Sequence, residues 1–392
     1  MNDLLAADEF GIACALGGFW IDPWRPVPVA VITHAHGDHA RFGSAVYHAA
    51  EGSRALLDIR LRNQRVVYHA YREAFALGDA VVSFHPAGHV RGSAQVRVEP
   101  RGGGPVWVAS GDYKRAPDPT CEPFEVVRCD GFITEATFAL PAYRWEPTAV
   151  ICNEMLDWWV ENREAGRASV LFSYALGKAQ RVLAELRAQV ALRFGETEAA
   201  EGSERFMVYT HGAVEPLVEA YRREGVRMLP TRRVSEAGGA GTARGAGSGK
   251  RERGVNLFAG ALVIAPPSAA GSVWMRRFGA DAQTAFASGW MRIRGVRRRR
   301  GYDRGFVLSD HADWPDLLRT IDETGARTVL MTHGSSETLA RFVLETRGVD
   351  ARPLETRYTG EEEIAAEEVV EGAGDGDAGG KASDAAATGR RP

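Results

Sequence analysis

His34-Ala35-His36-Gly37-Asp38-His39 follows directly on the apolar run Val29–Ile32. The run predicts a short buried strand, and the hexapeptide sits on the turn at its end. Imidazole and carboxylate are the ligands that suit zinc and its first-row neighbours. On a tight loop, alternate side chains point to opposite sides. His34 and His36 are thus expected at one metal ion, and Asp38 and His39 at a second. A lone buried histidine is ordinarily a hydrogen-bonded core residue. Three histidines and an aspartate packed into one turn would leave several polar groups to satisfy in one place. The hexapeptide therefore predicts a two-metal hydrolase.

Two metal ions need further ligands, and the chain offers them at other strand ends. His89 lies in Ala87-Gly88-His89-Val90-Arg91-Gly92, where flanking glycines let the backbone bend toward a cluster. Asp112 lies in Ser110-Gly111-Asp112-Tyr113, and a carboxylate there can bridge two ions. His333 lies in Thr332-His333-Gly334. Each alone reads as a loop or turn residue; together with the hexapeptide they read as ligands. Asp22, before Pro23, is either a turn aspartate or an acceptor for a ligand imidazole.

Val29–Ile32, 106–110, 131–134, Ser169–Phe172, 206–210, Leu262–Ala265, 305–309 and Thr328–Thr332 read as strands. Ala179, Val182, Leu183, Leu186 and Val190 recur at helical spacing after Gly177. Helices are also expected over 313–324 and 337–346. The alternation predicts α/β layers. The Gly/Ala-rich segment 235–254 predicts a flexible loop, 361–371 a short acidic helix, and the end from Gly372 a disordered tail. No stretch reaches about 18 consecutive apolar residues, so no transmembrane helix is expected. No basic-then-apolar leader opens the sequence, and Cys14, Cys121, Cys129 and Cys152 lack C-x-x-C spacing. A cytoplasmic protein without a disulfide framework is expected. From Glu361 onward nine acids face three bases, so within a net charge of −3 the rest of the chain is mildly basic, at +3. That balance is compatible with a polyanionic substrate.

The order Asp22, His34-x-His36-x-Asp38-His39, His89, Asp112 resembles the metallo-β-lactamase superfamily. In lactamase-like and glyoxalase-like members the last histidine follows the bridging aspartate closely; here 221 positions separate Asp112 from His333. That spacing resembles the β-CASP branch, which includes messenger-RNA 3′-end processing factors and interstrand-crosslink repair nucleases. Glu135 in Thr134-Glu135-Ala136-Thr137, His311 in Ser309-Asp310-His311-Ala312-Asp313-Trp314, and His333 match the branch's later motifs. Phe172-Ser173-Tyr174-Ala175-Leu176-Gly177-Lys178-Ala179-Gln180, Thr210-His211-Gly212-Ala213-Val214-Glu215-Pro216 and the His311 stretch are similar to bacterial exonuclease-type proteins associated with an ATP-dependent DNA ligase and a helicase.

The resemblance implies an αββα metallo-β-lactamase sandwich with an inserted β-CASP α/β domain. Its first part would span 1–145, the insertion 146–300 and the return 301–360, before an acidic tail over 361–392. It implies that His34, His36 and His89 hold one divalent ion, zinc or manganese. Asp38, His39 and His333 would hold another, with Asp112 bridging and Asp22 supporting a ligand. Water made acidic by the two ions would attack the phosphodiester, His311 would serve the phosphate or the leaving oxygen, and Glu135 would orient His311. Nucleic acid is the expected partner, DNA before RNA.

Arg294, Arg297, Arg298, Arg299 and Arg300, near Trp290 and Tyr302, are candidate phosphate contacts, as is Lys178 at a helix start. His211 reads as a structural histidine at a strand end, with a substrate contact as the alternative. An RNA-processing nuclease is the second reading, and a small-molecule metallo-hydrolase or an inactive binding subunit are further ones.

Overall fold

The computed structural model describes residues 3–237, 257–295, 298 and 301–356. The expected tail and most of the 235–254 loop lie outside them. Three sheets organise these residues into a mixed α/β fold. In the first sheet, the strands Ala6–Ala7, Ile12–Cys14, Phe19–Ile21, Val29–Ile32, Val46–Ala50 and Val66–His69 lie in sequence order. The second sheet runs Asp350–Pro353, Thr328–Thr332, Gly131–Glu135, Trp107–Ala109, Ala94–Pro100, Ala80–Pro86, Phe75–Leu77.

Strand alternation explains how these two sheets pack. Val31 and Ile133 turn into a core shared by both sheets, with Phe19, Val82, Val96 and Leu330. Their neighbours Ala30, Ile32 and Phe132 turn outward. The outer face of the second sheet is covered by the helices Trp314–Thr324 and Ser336–Arg347, through Leu317, Ile321, Leu339 and Val343. The first sheet is covered by Arg54–Arg60 and by the helices of the third sheet. The result is helices, sheet, sheet, helices.

Thr328–Thr332 pairs in parallel with Gly131–Glu135, aligning Thr332 with Glu135. Between these two neighbours in space, the chain builds the whole third sheet. That sheet is parallel throughout, in the order Thr231–Arg233, Val208–Thr210, Leu262–Ala265, Ser169–Phe172, Gln283–Ala287, Arg304–Phe306. Arg304–Phe306 pairs with Gln283–Ala287. This corrects the expected start of the return at 301, because the last strand of the third sheet is still to come there. The helix Lys178–Phe194 buries Ala179, Val182, Leu183, Leu186 and Val190 as its spacing predicts. Among the described residues no helix is long and apolar enough to cross a membrane.

Candidate metal centre

The parallel register brings three chemistry-bearing strand ends to one edge of the second sheet. Ala109 leads to Asp112, Gly131–Glu135 ends at Glu135, and Thr332 leads to His333. The first sheet delivers the hexapeptide from Ile32. Gly111 (φ 57°) lets these loops meet, since a Cβ there would lie 2.7 Å from the Thr33 side chain. His333 itself sits in the left-handed region (φ 61°), as does Asp22 (φ 42°). Such backbone in a non-glycine residue costs on the order of 1–3 kcal/mol and collects at functional sites.

The partner of each imidazole's outer nitrogen assigns its proton. His89 Nδ1 donates to the Asp310 carbonyl at 2.9 Å. His36 Nε2 faces the Leu176 carbonyl at 3.4 Å. Thr33 gives its hydroxyl proton to Asp22 and so accepts from His34 Nδ1 at 3.0 Å. Three lone pairs therefore converge: His36 Nδ1 lies 3.0 Å from His34 Nε2 and 3.1 Å from His89 Nε2. Burial, the leading cause in each case, keeps these rings neutral. It draws His34 and His89 well below the usual histidine range and His36 to about 4. Lone pairs so placed repel one another unless a cation lies among them, and this donor set fits one.

Asp38, His39 and His333 form a second group. His39 Nδ1 donates to Asp22 Oδ2 at 2.7 Å. His333 Nδ1 pairs with the Thr332 hydroxyl at 2.8 Å, which in turn donates to the Thr134 carbonyl. Burial opposes a charge on His39, but Asp38, Asp112 and Asp22 together push it up to about 10. Burial, then His39, bring His333 down to about 3. Asp112 Oδ2 stands between the two groups, 3.6 Å from His34 Nε2 and 3.6 Å from His39 Nε2. Burial pushes its carboxyl up to about 7, against the pull of His39 and His311. Asp38 Oδ1 and Asp112 Oδ1 are buried without a hydrogen-bond partner among the described residues. Burying bare carboxylate oxygens is costly, so both groups have the composition and the unmet polarity to hold metal ions.

His311 lies against this centre, its ring centroid 4.7 Å from that of His89. Its Nδ1 donates to Glu135 Oε2 at 2.7 Å, while Glu135 Oε1 accepts from the Tyr113 amide.

No model of a known protein family matches the chain. The chain is 30% identical over 336 residues to a protein of Opitutus terrae named "Probable DNA ligase", a match covering 85% of this chain. It spans only 29% of that relative's length. A solved structure titled as a protein of unknown function from Enterococcus faecalis V583 aligns with a TM-score of 0.48 at 12% identity, covering 79% of this chain and 76% of that one.

The candidate nucleic-acid contacts fare differently. Lys178 is wholly buried, its ammonium 3.4 Å from Asp310 Oδ2 and 4.4 Å from the Tyr174 ring centre. Its expected phosphate contact is thus corrected: the helix start faces the protein interior. Arg294 and Arg298 are exposed, whereas Arg297, Arg299 and Arg300 lie outside the described residues.

Sequence reading missed the cluster around Lys178. Arg181 reaches the Ser309 carbonyl (2.7 Å), Asp310 Oδ1 (3.1 Å) and Asp118 Oδ2 (3.2 Å), and Lys114 donates to the same Ser309 carbonyl (2.6 Å). Burial, then Arg181, bring Lys114 down to about 7. These buried charges tie the 309–311 turn to the loop after Asp112 and to the helix Lys178–Phe194. Reading also missed Thr33 and Thr332, though a signal was present: each immediately precedes a histidine of the centre.

Proposed function

We propose that the chain is a metal-dependent phosphodiesterase of the metallo-β-lactamase superfamily that cleaves DNA. In this reading the third sheet is its β-CASP insertion, spanning 146–306. The observation that carries the reading is the convergence of His34 Nε2, His36 Nδ1 and His89 Nε2 with their other nitrogens all engaged. His34, His36, His89 and Asp112 would hold one ion, and Asp38, His39, His333 and Asp112 the other.

Zinc or manganese ions there would supply Lewis acidity, both toward phosphate oxygens and toward water. The protein's own residues supply position and proton traffic. Asp22 orients two imidazoles at once, directly through His39 and by way of Thr33 through His34. Glu135 holds His311 Nδ1–H, so a proton exchanged by that ring passes through Nε2. His311 can then protonate the departing oxygen.

A DNA substrate draws support from the name of the Opitutus relative, and so does a working link to a DNA ligase. End-labelled DNA and RNA oligonucleotides, incubated with zinc or manganese, test the reading. Cleavage of DNA that His36→Ala abolishes is the expected result. Cleavage of RNA alone would replace the substrate, and no cleavage with any ion would overturn the function.

A further inference from the structure

All strands of the third sheet run in one direction, and the carboxyl end of a central one, Ser169–Phe172, opens beside the candidate metal centre. Ser169–Phe172 leads to Leu176, whose carbonyl meets His36. Gln283–Ala287 leads to Gly289, where a Cβ would lie 2.6 Å from Phe138 and 3.0 Å from Ser309. In open parallel sheets this end is where ligands collect.

Two neighbouring strand ends carry side chains that the cleavage chemistry does not use. His211 follows Val208–Thr210, and Trp274 follows Leu262–Ala265 on a short 3-10 segment, Val273–Phe278. The Trp274 ring meets His211 edge-on at 5.0 Å and rests on buried Phe278 at 4.7 Å. The Arg277 guanidinium lies 5.5 Å from the Trp274 ring centre. Arg276 and Arg277 are exposed, and no acid occurs from Pro266 to Ala280. The Ala213 amide donates to His211 Nδ1 at 3.1 Å, which leaves Nε2 as the proton-bearing nitrogen, a donor for an anion or a base carbonyl. On the opposite flank, after Gln283–Ala287, Arg292, Arg294 and Arg298 are exposed. Arginines thus border both sides of the strand end that touches the centre.

We propose that Trp274, His211, Arg276 and Arg277 form a platform for unpaired nucleotides of a strand whose scissile phosphodiester lies at the metal centre. The proposal rests on the nuclease reading and adds the form of the substrate. Guanidinium groups take the phosphates, and an aromatic ring edge or face takes a base without regard to sequence. A duplex hides its base faces, so the platform selects single strands. Neighbouring strands lie about 4.8 Å apart. The end of Val208–Thr210 is therefore about 10 Å along the sheet from the end of Ser169–Phe172, a span of a few nucleotides.

Binding of a fluorescent 12-nucleotide single strand and of the matching blunt duplex, to full-length protein in chelator, tests this directly. Trp274→Ala is expected to weaken single-strand binding about tenfold and duplex binding less than twofold. Arg276→Gln with Arg277→Gln is expected to flatten the salt dependence of single-strand binding by about 1.4 in log–log slope, from roughly 0.7 per charge. Equal losses on both nucleic acids, or no loss in either variant while unfolding stays like the parent's, overturn the platform. Adding manganese to the parent samples separates the two readings. Selective single-strand binding without cleavage would sink the nuclease and leave the platform standing; cleavage without the selective loss would do the reverse.

Discussion

His89 Nδ1 donates to the Asp310 carbonyl across 221 residues of chain. This bond joins the candidate metal centre to the buried charges, because the Asp310 side chain is held by Arg181 and Lys178. Arg181 is the hub, with both Asp118 and Asp310 as carboxylate partners. Removing one side of a buried ion pair leaves a charge that neither water nor protein satisfies, at a cost of about 3–5 kcal/mol. Arg181→Met should lower unfolding free energy in urea by that amount. Asp118→Asn added to it should recover part of the loss. Additive losses would mean that the two residues are not coupled.

The proposed assignment makes Asp22 the orienting acceptor for His39 and, through Thr33, for His34. Asparagine keeps the shape but loses the charge that favours His39 Nδ1–H. Loss of such outer partners typically lowers metal affinity 10–100-fold. Asp22→Asn should do so when zinc is titrated against a competing chelator, with the fold intact by circular dichroism. An unchanged affinity would remove Asp22 from the centre.

His311 and Glu135 divide differently. Under the proposed function His311→Ala lowers kcat by about 10²–10⁴, the usual range for a positioned acid, while metal content stays at the parent level. Glu135→Gln should fall between the two, because glutamine can still accept from Nδ1 but cannot stabilise an imidazolium. Metal analysis beside steady-state rates checks this, and loss of metal in His311→Ala would reassign that residue as a ligand.

How much of this was legible beforehand follows from where each signal resides. Val29–Ile32, Ser169–Phe172, Leu262–Ala265 and Thr328–Thr332 have the bounds expected of them, because parallel strands covered on both faces are continuous apolar runs. The short strands Ala6–Ala7 and Ile12–Cys14 lie in brief apolar stretches, 4–7 and 12–16, which are rich in alanine and too short to separate strand from helix without the pairing that defines them. Helix Thr148–Glu164 has Ile151, Cys152, Met155, Leu156 and Trp159 at helical spacing, but its start has no side-chain cap to mark it, and it went unread. Asp22, His89, Asp112 and His333 stood out because each lies just past a strand. Lys178 misled for a different reason: its place at a helix start suggested a phosphate, but only the folded chain brings Asp310 to it.

The two groups of the centre should differ in their proton balance on binding metal. Ligand nitrogens must be bare to bind a cation. His36, at about 4, and His34 and His89, held well below the usual histidine range by burial, are already neutral at pH 8, so an ion taken up there displaces no proton from them. His39, at about 10, is charged at pH 8 and must surrender Nε2–H to an ion at the second group. Asp112, at about 7, is mostly ionised at pH 8 but adds a second displaced proton as pH falls below 7. Affinity at the second group should therefore rise with pH through the neutral range, close to tenfold between pH 8 and 9 and less steeply as pH nears 10. Affinity at the first should be flatter, changing only as Asp112 ionises. Calorimetric titration in two buffers of different ionisation enthalpy counts the protons released. One proton with one ion and none with the other is the expected pattern, and equal release with both would contradict the charged state of His39.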